Sequence, residues 1–305
     1  MDSSNATLIE KIEKLKKDRN AIFLVHNYQL GEVQDIADFG GDSLELSRKA
    51  AESDADVIVF CGVHFMAETA AILCPGKTVL LPDLNSGCPM ADMVTAEKLR
   101  ELKRQHPNAK VVCYVNSTAE VKAESDICCT SANAVKIVET LKDAEEIIFV
   151  PDQYLGSYAA EQTGKELILW PGYCPTHARI LAADIEKRKQ EHPQAKVIVH
   201  PECKQEVRAV ADAVLSTGQM VRYAQETEAK ELIIGTEIGI IHRLQKENPD
   251  KMFIPATEQA VCPRMKLITL ESVLWSLENM QHRITIPEDI RVKAKNAVDR
   301  MLEVK

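Results

Sequence analysis

The segment AIFLVHNY at residues 21–28 is the first of three similar stretches that decide the fold. The other two are AKVVCYVN at 109–116 and AKVIVHPE at 195–202. Each is a β-branched apolar run of strand length that ends in polar residues, and it is too short for a buried helix. The chain is therefore a threefold internal repeat, with a unit of about 85–90 residues.

Two further apolar runs follow each of these stretches, with helix-forming sequence between them. The second runs are ADVIVF from Ala55, AEEIIFV from Ala144 and AKELIIG from Ala229, and the third are KTVLLP from Lys77, KELILWP from Lys165 and KMFIP from Lys251. Strands that alternate with helices predict βαβ units, parallel pairing and burial on both faces. We therefore expect an α/β protein of three homologous three-layer α/β/α domains, with short parallel sheets around a pseudo-threefold axis. The predicted domains are 1–108, 109–194 and 195–305, with terminal helices outside the repeat.

Composition narrows the class of protein. Hydrophobic residues make up 45% and charged residues 27% of the 305 positions, which is typical of globular proteins. The formal charge of −9 argues against binding of duplex nucleic acid, which usually requires a basic surface. Because the sequence shows neither a long apolar run nor a signal core, we expect a cytoplasmic protein that does not bind membranes.

Pairs of polar residues follow the first strand of each repeat. The pairs are His26 and Tyr28, Tyr114 and Asn116, and His200 and Glu202. Residues two apart on a strand point to the same face, and ligands bind at the carboxyl ends of parallel strands. Polar residues at strand ends are common, so one pair would mean little. Three equivalent pairs rich in His, Tyr and Glu indicate a functional site.

A hydroxyl residue lies 17 positions after the first member of each pair. These residues are Ser43, Ser131 and Thr217, each near the start of a predicted helix. Helix capping is one reason for Ser or Thr at such a position. Free amides at a helix start together with a hydroxyl also favour an anion. If three such groups converge, they fit a dicarboxylate or a phosphate ester.

Three of the nine cysteines recur with the repeat. Cys88, Cys174 and Cys262 each follow a third strand and precede a proline, with separations of 86 and 88 residues. Cys74 also precedes a proline, but it has no counterpart in the other repeats and is rejected. The remaining five, Cys61, Cys113, Cys128, Cys129 and Cys203, lack counterparts as well. We expect most of these to be small buried side chains, with Cys203 a candidate for the border of the site.

Three thiolates that converge on a threefold axis would bind a metal centre. Soft thiolates favour zinc or an iron–sulfur cluster, and three protein ligands leave one coordination position open for catalysis. Zinc ligands usually occur as a CxxC pair or beside a local His, whereas these cysteines are isolated in sequence. A cluster with one iron free to act as a Lewis acid is therefore favoured.

Six groups of motifs together resemble the quinolinate synthase family. They are HNYQ at 26–29, YVNST at 114–118, CCTSANA at 128–134, HPEC at 200–203, STGQM at 216–220 and the three Cys-Pro sites. The resemblance extends from about Ala21 to Ser276. It implies the condensation of iminoaspartate with dihydroxyacetone phosphate to quinolinate, with release of phosphate and two waters. It also implies three α/β/α domains and functional coupling to an enzyme that produces iminoaspartate.

The same resemblance implies the roles of individual residues. A 4Fe-4S cluster would be bound by Cys88, Cys174 and Cys262. Substrate-contacting positions would be His26, Ser43, Tyr114, Val115, Asn116, Ser131, His200, Pro201, Glu202 and Thr217. Glu202 beside His200 would be the general base, with Tyr28, His26 and Tyr114 as proton relays or orienting groups. A CxxC pair found near the C-terminus of some relatives is absent after Cys262.

Two other functions remain open from the sequence. A different hydro-lyase could use an open 4Fe-4S cluster on a small hydroxy acid, and it would need the cysteines but no phosphate site. A non-enzymatic iron–sulfur redox sensor or electron carrier would explain the cysteines but not the polar pairs and the hydroxyls. A requirement for a triose phosphate separates the proposed enzyme from both.

Overall fold

The computed structural model describes residues 3–304 and contains three parallel four-stranded sheets. The first sheet has β1 Ala21–His26, β2 Phe39–Gly41, β3 Val57–Cys61 and β4 Thr78–Leu80; the second has β5 Lys110–Tyr114, β6 Ile127–Cys129, β7 Ile147–Val150 and β8 Ile168–Leu169; the third has β9 Lys196–Val199, β10 Ala213–Val214, β11 Glu231–Gly235 and β12 Met252–Pro255. The strand order is β2-β1-β3-β4 in the first sheet and equivalent in the others. All pairs are parallel. The predicted fold class is confirmed.

Helices connect the strands and cover the sheets. They are α1 Ser3–Asp18, α2 Gly31–Asp35, α3 Ser43–Glu52, α4 His64–Leu73, α5 Ala96–Gln105, α6 Ala119–Ala123, α7 Ala134–Thr140, α8 Gln153–Thr163, α9 Ala182–Glu191, α10 Gln205–Ala209, α11 Thr217–Glu226, α12 Ile240–Glu247, α13 Leu270–Asn279 and α14 Glu288–Glu303. A short 3₁₀ helix follows each Cys-Pro loop, at Ala91–Met93, His177–Arg179 and Met265–Leu267. Among the described residues, no helix is both long enough and apolar enough to cross a membrane.

In each sheet, the short edge strand that comes second along the chain was not predicted from the sequence. The strands β2, β6 and β10 have only three, three and two residues, too few to show a periodic pattern. They form because the end of the first strand pairs with them, as Leu24 to His26 do with Phe39 to Gly41. Each short edge strand leads into the segment that carries Ser43, Ser131 or Thr217, so it positions these hydroxyls.

The last helix of each repeat packs on the next repeat. Helix α5 contacts α6, helix α9 contacts α10 and β11, and helix α13 contacts α1 and β3. The first repeat thus contacts the second, the second contacts the third and the third contacts the first, as expected for a pseudo-threefold arrangement. The C-terminal helix α14 packs against α4, α6 and β6, so it links the first two repeats. The domain limits at 108/109 and 194/195 remain a prediction.

Candidate active site

A cavity of about 200 Å³ lies between the three repeats, at the carboxyl ends of their strands. It is lined by His26, Tyr28, Ser43, Cys88, Tyr114, Asn116, Ser131, Cys174, His200, Glu202, Thr217 and Cys262. The three polar pairs, the three hydroxyls and the three Cys-Pro thiols thus meet at one place. Val115 and Pro201 are buried between the members of their pairs and are not among the lining residues.

Each polar pair lies at or just after a strand end, and only His26 and Tyr114 belong to the strands themselves. β1 ends at His26, and Tyr28 lies in the following turn, so the argument from one strand face does not apply to it. The backbone N–H of Tyr28 donates to His26 Nδ1 at 3.2 Å, and that of Glu202 donates to His200 Nδ1 at 3.3 Å. Burial lowers the pKa of both histidines to about 3, so they are neutral. With Nδ1 accepting, the ring proton lies on Nε2.

Glu202 is a buried carboxylate with donors on both oxygens. Its Oε1 accepts the phenol proton of Tyr114 at 2.6 Å and faces the Asn116 amide at 3.4 Å, and its Oε2 lies 2.7 Å from His177 Nδ1. Burial acts to raise the pKa of Glu202, but His177, His200 and the hydrogen bonds outweigh burial and hold it at about 2. Glu202 is therefore ionised.

A hydrogen-bonded chain connects Tyr28 to Glu202. The Tyr28 hydroxyl lies 2.6 Å from Thr236 Oγ1, which lies 2.8 Å from His177 Nε2. In the neutral form of His177 that donates from Nδ1 to Glu202, Nε2 accepts the Thr236 proton and Thr236 accepts from Tyr28. We name these four residues the relay. Burial, together with the negative charge of Glu202, raises the pKa of Tyr28 well above its usual value, so the phenol is protonated.

Sequence reasoning missed His177 and Thr236 because they break the repeat. His177 is three residues after Cys174, where the other Cys-Pro sites have Ala91 and Met265. Thr236 directly follows β11. Each of them is a polar residue that occurs in only one of the three repeats at its position, and this difference was the signal that could have identified it.

Two of the three hydroxyl residues, Ser43 and Thr217, directly follow a residue whose side chain caps a helix. Ser43 begins α3 and Thr217 begins α11, but the capping side chains are Asp42 and Ser216. Capping therefore does not explain the hydroxyls of Ser43 and Thr217. Ser131 lies in a turn before α7 rather than at its first residue. Its Oγ is 3.2 Å from His200 Nε2.

The three Cys-Pro thiols differ from the other cysteines in exposure. Cys88, Cys174 and Cys262 are partly exposed and line the cavity, whereas the other six, including Cys74 and Cys203, are buried. Cys203 is not among the lining residues, so it does not border the cavity. Burial raises the pKa of the Cys88 thiol to about 12 and also raises those of Cys174 and Cys262.

Backbone N–H groups oppose this effect at each thiol. Those of Met90 and Ala91 face the Cys88 sulfur and act to lower its pKa, and the 3₁₀ helices after Cys174 and Cys262 supply equivalent groups. Such groups stabilise a thiolate once a metal replaces the proton. The residues present therefore fit a thiolate-bound metal centre.

One smaller set of potential ligands overlaps the relay. Ligand atoms of Cys174, His177 and Glu202 lie within 4.8 Å of one another, close enough for a single ion. However, His177 Nδ1 already donates to Glu202 and lies 3.2 Å from the Cys174 sulfur. The hydrogen bonds thus explain this proximity without an ion.

The fold and the cavity define a class of protein: an α/β protein of three repeats that contribute polar side chains and three thiols to one shared cavity. The chain belongs to the quinolinate synthetase A protein family, whose model matches residues 10–303. This family of NAD-biosynthesis enzymes is known for an iron–sulfur cluster.

Curated relatives from distant organisms are similar over nearly their whole length. The quinolinate synthase of Dehalococcoides mccartyi strain CBDB1 is 67% identical over 294 residues, which cover 96% of this chain and 97% of that protein. Those of Methanosarcina barkeri and Geobacter metallireducens are 58% and 56% identical over 300 and 298 residues, with 98% of both chains covered in each case.

Proposed function

We propose that this chain condenses iminoaspartate with dihydroxyacetone phosphate to quinolinate, phosphate and two waters in the cavity between the repeats. The observation that carries the proposal is the convergence of three thiols, three hydroxyls and the relay residues Tyr28, His177 and Glu202 on one cavity. Family membership supports the same reaction. An enzyme that produces iminoaspartate would have to supply this substrate.

The cavity offers donors for the anionic groups of both substrates. Iminoaspartate carries two carboxylates and the triose carries one phosphate. Ser43, Ser131 and Thr217 line the cavity, where their hydroxyls can donate to such anionic groups. Arg179 and Arg264 line the cavity as exposed residues, so they form a cationic rim. This rim lets an acidic protein attract anions locally.

The relay supports Tyr28 as the residue that would exchange protons with the substrate. Condensation needs proton removal next to a carbonyl group, and the later dehydrations need protons on the leaving hydroxyls. Tyr28 lines the cavity and can pass its own proton to Thr236 while its oxygen accepts one from the substrate. Because Thr236 donates to His177, the proton moves toward Glu202, whose negative charge stabilises the resulting imidazolium.

Glu202 would act through His177 rather than on the substrate directly. Both of its oxygens are already hydrogen-bonded, and a carboxylate with a pKa of about 2 is a weak base. This favours a positioning and charge-stabilising role. Direct proton abstraction by Glu202, as expected from the sequence, stays a prediction. His26 would orient the substrate through its Nε2–H group. Tyr114 and His200 already donate to Glu202 and Ser131 and would orient those two groups, and their own contact with the substrate stays a prediction.

The ligands of the 4Fe-4S cluster would be Cys88, Cys174 and Cys262. Their exposure to the cavity and the N–H groups aimed at their sulfurs support this assignment. Glu237 anchors one of these loops, since its Oε1 accepts the Cys262 N–H at 3.0 Å. When bound, a cluster with an iron free of protein ligands supplies a Lewis acid for the loss of hydroxide as water.

Anaerobic purification and assay test the proposal. Cys88→Ser, Cys174→Ser and Cys262→Ser should each lose iron and sulfide. The matched control is Cys74→Ser. In the wild type the buried Cys74 thiol donates a hydrogen bond to the Ala50 carbonyl, and Cys74 also precedes a proline. Retention of a full cluster by one of the three variants would remove that residue from the ligand set. Turnover without dihydroxyacetone phosphate would instead favour a different hydro-lyase. A protein that holds the cluster but shows no turnover would favour a redox sensor.

A further inference from the structure

Asn27 connects the cavity to a neighbouring repeat, although the sequence assigned it no role. It lies between His26 and Tyr28 and is 1% exposed. Its side-chain amide donates to Thr217 Oγ1 at 3.0 Å, and its side-chain carbonyl accepts from Arg243 Nη1 at 2.9 Å. Arg243 and Thr217 both belong to the third repeat, so this contact crosses between repeats.

Arg243 fixes the orientation of the Asn27 side chain. A guanidinium has only donors, so the Asn27 atom that faces it must be the oxygen, and the NH₂ group must face Thr217. Arg243 is itself held, because Nη1 also donates to the Gly40 carbonyl at 2.9 Å and Nε donates to Glu247 at 2.6 Å. The Asn27 backbone N–H donates to the Gly41 carbonyl at 3.2 Å.

This orientation makes the Thr217 oxygen an acceptor, so its own proton must point elsewhere. Among the described residues, the only hydrogen-bond partner of the Thr217 hydroxyl is the Asn27 amide, so no acceptor of the protein takes its proton. Thr217 is 2% exposed and lines the cavity. Its proton is therefore available to a ligand in the cavity.

A second hydroxyl shows the same arrangement with different residues. His200 Nδ1 accepts the Glu202 N–H, so its Nε2–H donates to Ser131 Oγ at 3.2 Å. The Ser131 oxygen is again an acceptor, and its proton is again free for a ligand. For two of the three cavity hydroxyls, therefore, a side chain held in one orientation donates to the hydroxyl oxygen.

We propose that Asn27 and Arg243 are positioning residues that hold the Thr217 hydroxyl as a donor to an anionic oxygen of the substrate. The inference rests on the proposed function in that the ligand is an anion, either a carboxylate or a phosphate. It predicts that the direction of the Asn27–Thr217 hydrogen bond, and not only its presence, controls affinity.

Substitution of Asn27 by Asp tests this direction. Asp is nearly isosteric and keeps the Arg243 contact, but it cannot donate, so Thr217 would turn its proton toward residue 27. Binding of two probes, maleate as a four-carbon dicarboxylate and inorganic phosphate, is measured by calorimetry on the cluster-loaded protein. Cluster absorbance and the thermal midpoint of the same samples establish that the variant is folded and loaded.

We expect Asn27→Asp to weaken one probe by roughly 10- to 100-fold, the value of a hydrogen bond to a charged group. Arg243→Met should weaken the same probe by about 2- to 5-fold, since Asn27 can then turn its oxygen toward Thr217 for part of the time. In a Thr217→Val background neither substitution should weaken binding further. The affected probe identifies the group that Thr217 binds.

Three outcomes would overturn the inference. The first is an equal weakening of binding by Asn27→Asp with and without the Thr217 hydroxyl, which would indicate charge repulsion alone. The second is an Arg243→Met variant with unchanged affinity, and the third is a wild type that binds neither probe. Quinolinate formation by the wild type is assayed separately, so failure of the proposed function is distinguishable from failure of this inference.

Discussion

The phenolic oxygen of Tyr28 lies 2.6 Å from Oγ1 of Thr236, although 208 residues separate the two in sequence. Tyr28 belongs to the first repeat and Thr236 to the third, and His177 of the second repeat completes the contact. The relay therefore takes residues from every repeat and exists only when all three are packed together. The packing of the last helix of each repeat on the next one helps to hold these residues together.

Interruption of the relay should reduce turnover without loss of the cluster. Thr236→Val is nearly isosteric but removes the hydroxyl between Tyr28 and His177. Glu202→Gln keeps the shape but removes the negative charge that stabilises protonated His177. Loss of general acid–base catalysis typically costs about 10²–10⁴-fold, so each variant should lose kcat in that range. The measurement is anaerobic quinolinate formation with cluster absorbance recorded on the same sample.

The double variant Thr236→Val/Glu202→Gln distinguishes two possible roles of Glu202: action through the relay and direct removal of a substrate proton. If Glu202 acts through Thr236, the combined loss should be close to the larger single loss, because both substitutions interrupt one unit. If Glu202 removes a substrate proton directly, the two losses should multiply. Near-normal turnover of the loaded Glu202→Gln enzyme would contradict both roles.

The sequence predicts the parts of the molecule that repeat and misses those that do not. The long strands and the positions of Cys88, Cys174 and Cys262 follow from one period, because equivalent residues of a threefold arrangement meet at its axis. Edge strands of two or three residues carry no pattern, so β2, β6 and β10 are visible only once the pairing is known. His177 and Thr236 depend on contacts between repeats, which no local pattern encodes.

Removal of the other two cavity hydroxyls should weaken substrate binding. Ser43→Ala and Ser131→Ala each remove one donor to an anionic group, which is worth about 1.5–3 kcal/mol. The expected result is a KM increase for one substrate, with iron content unchanged. Ser47→Ala is the matched control on the same helix as Ser43, since its hydroxyl donates to the Ser43 carbonyl at 2.6 Å. Wild-type KM and kcat in both test variants would exclude a role of these hydroxyls in anion binding.

Neutralisation of the rim should slow capture of the anionic substrates. Arg179→Gln and Arg264→Gln should lower kcat/KM and make it less sensitive to ionic strength, because long-range attraction is screened by salt. The effect should be larger at low salt, and kcat should change little. Arg104→Gln is the control, since this exposed residue pairs with Glu101 on α5 and is not among the cavity-lining residues. An equal effect of all three substitutions would show that only net charge matters.

Stability should fall in acid because His26 is buried in its neutral form. Burial is the main cause that lowers its pKa to about 3, with smaller opposing and reinforcing effects from Glu202 and Lys266. The ordinary pKa of histidine is about 6.5, so between pH 6.5 and 3 the unfolded chain binds a proton that the folded chain does not. The free energy of unfolding therefore decreases as pH falls through this window, by up to about 1.4 kcal/mol per pH unit for this residue.

The variant His26→Asn isolates this contribution. The Asn carbonyl can still accept the Tyr28 N–H that His26 Nδ1 accepts, but the side chain has no proton to bind in acid. Denaturant unfolding at pH 7, 6 and 5 should show a shallower loss of stability in the variant, by about 1 kcal/mol per pH unit at the acid end of this range. Cluster absorbance in the same samples separates loss of the cluster from unfolding. Equal slopes for variant and wild type would mean that folding does not lower the pKa of His26.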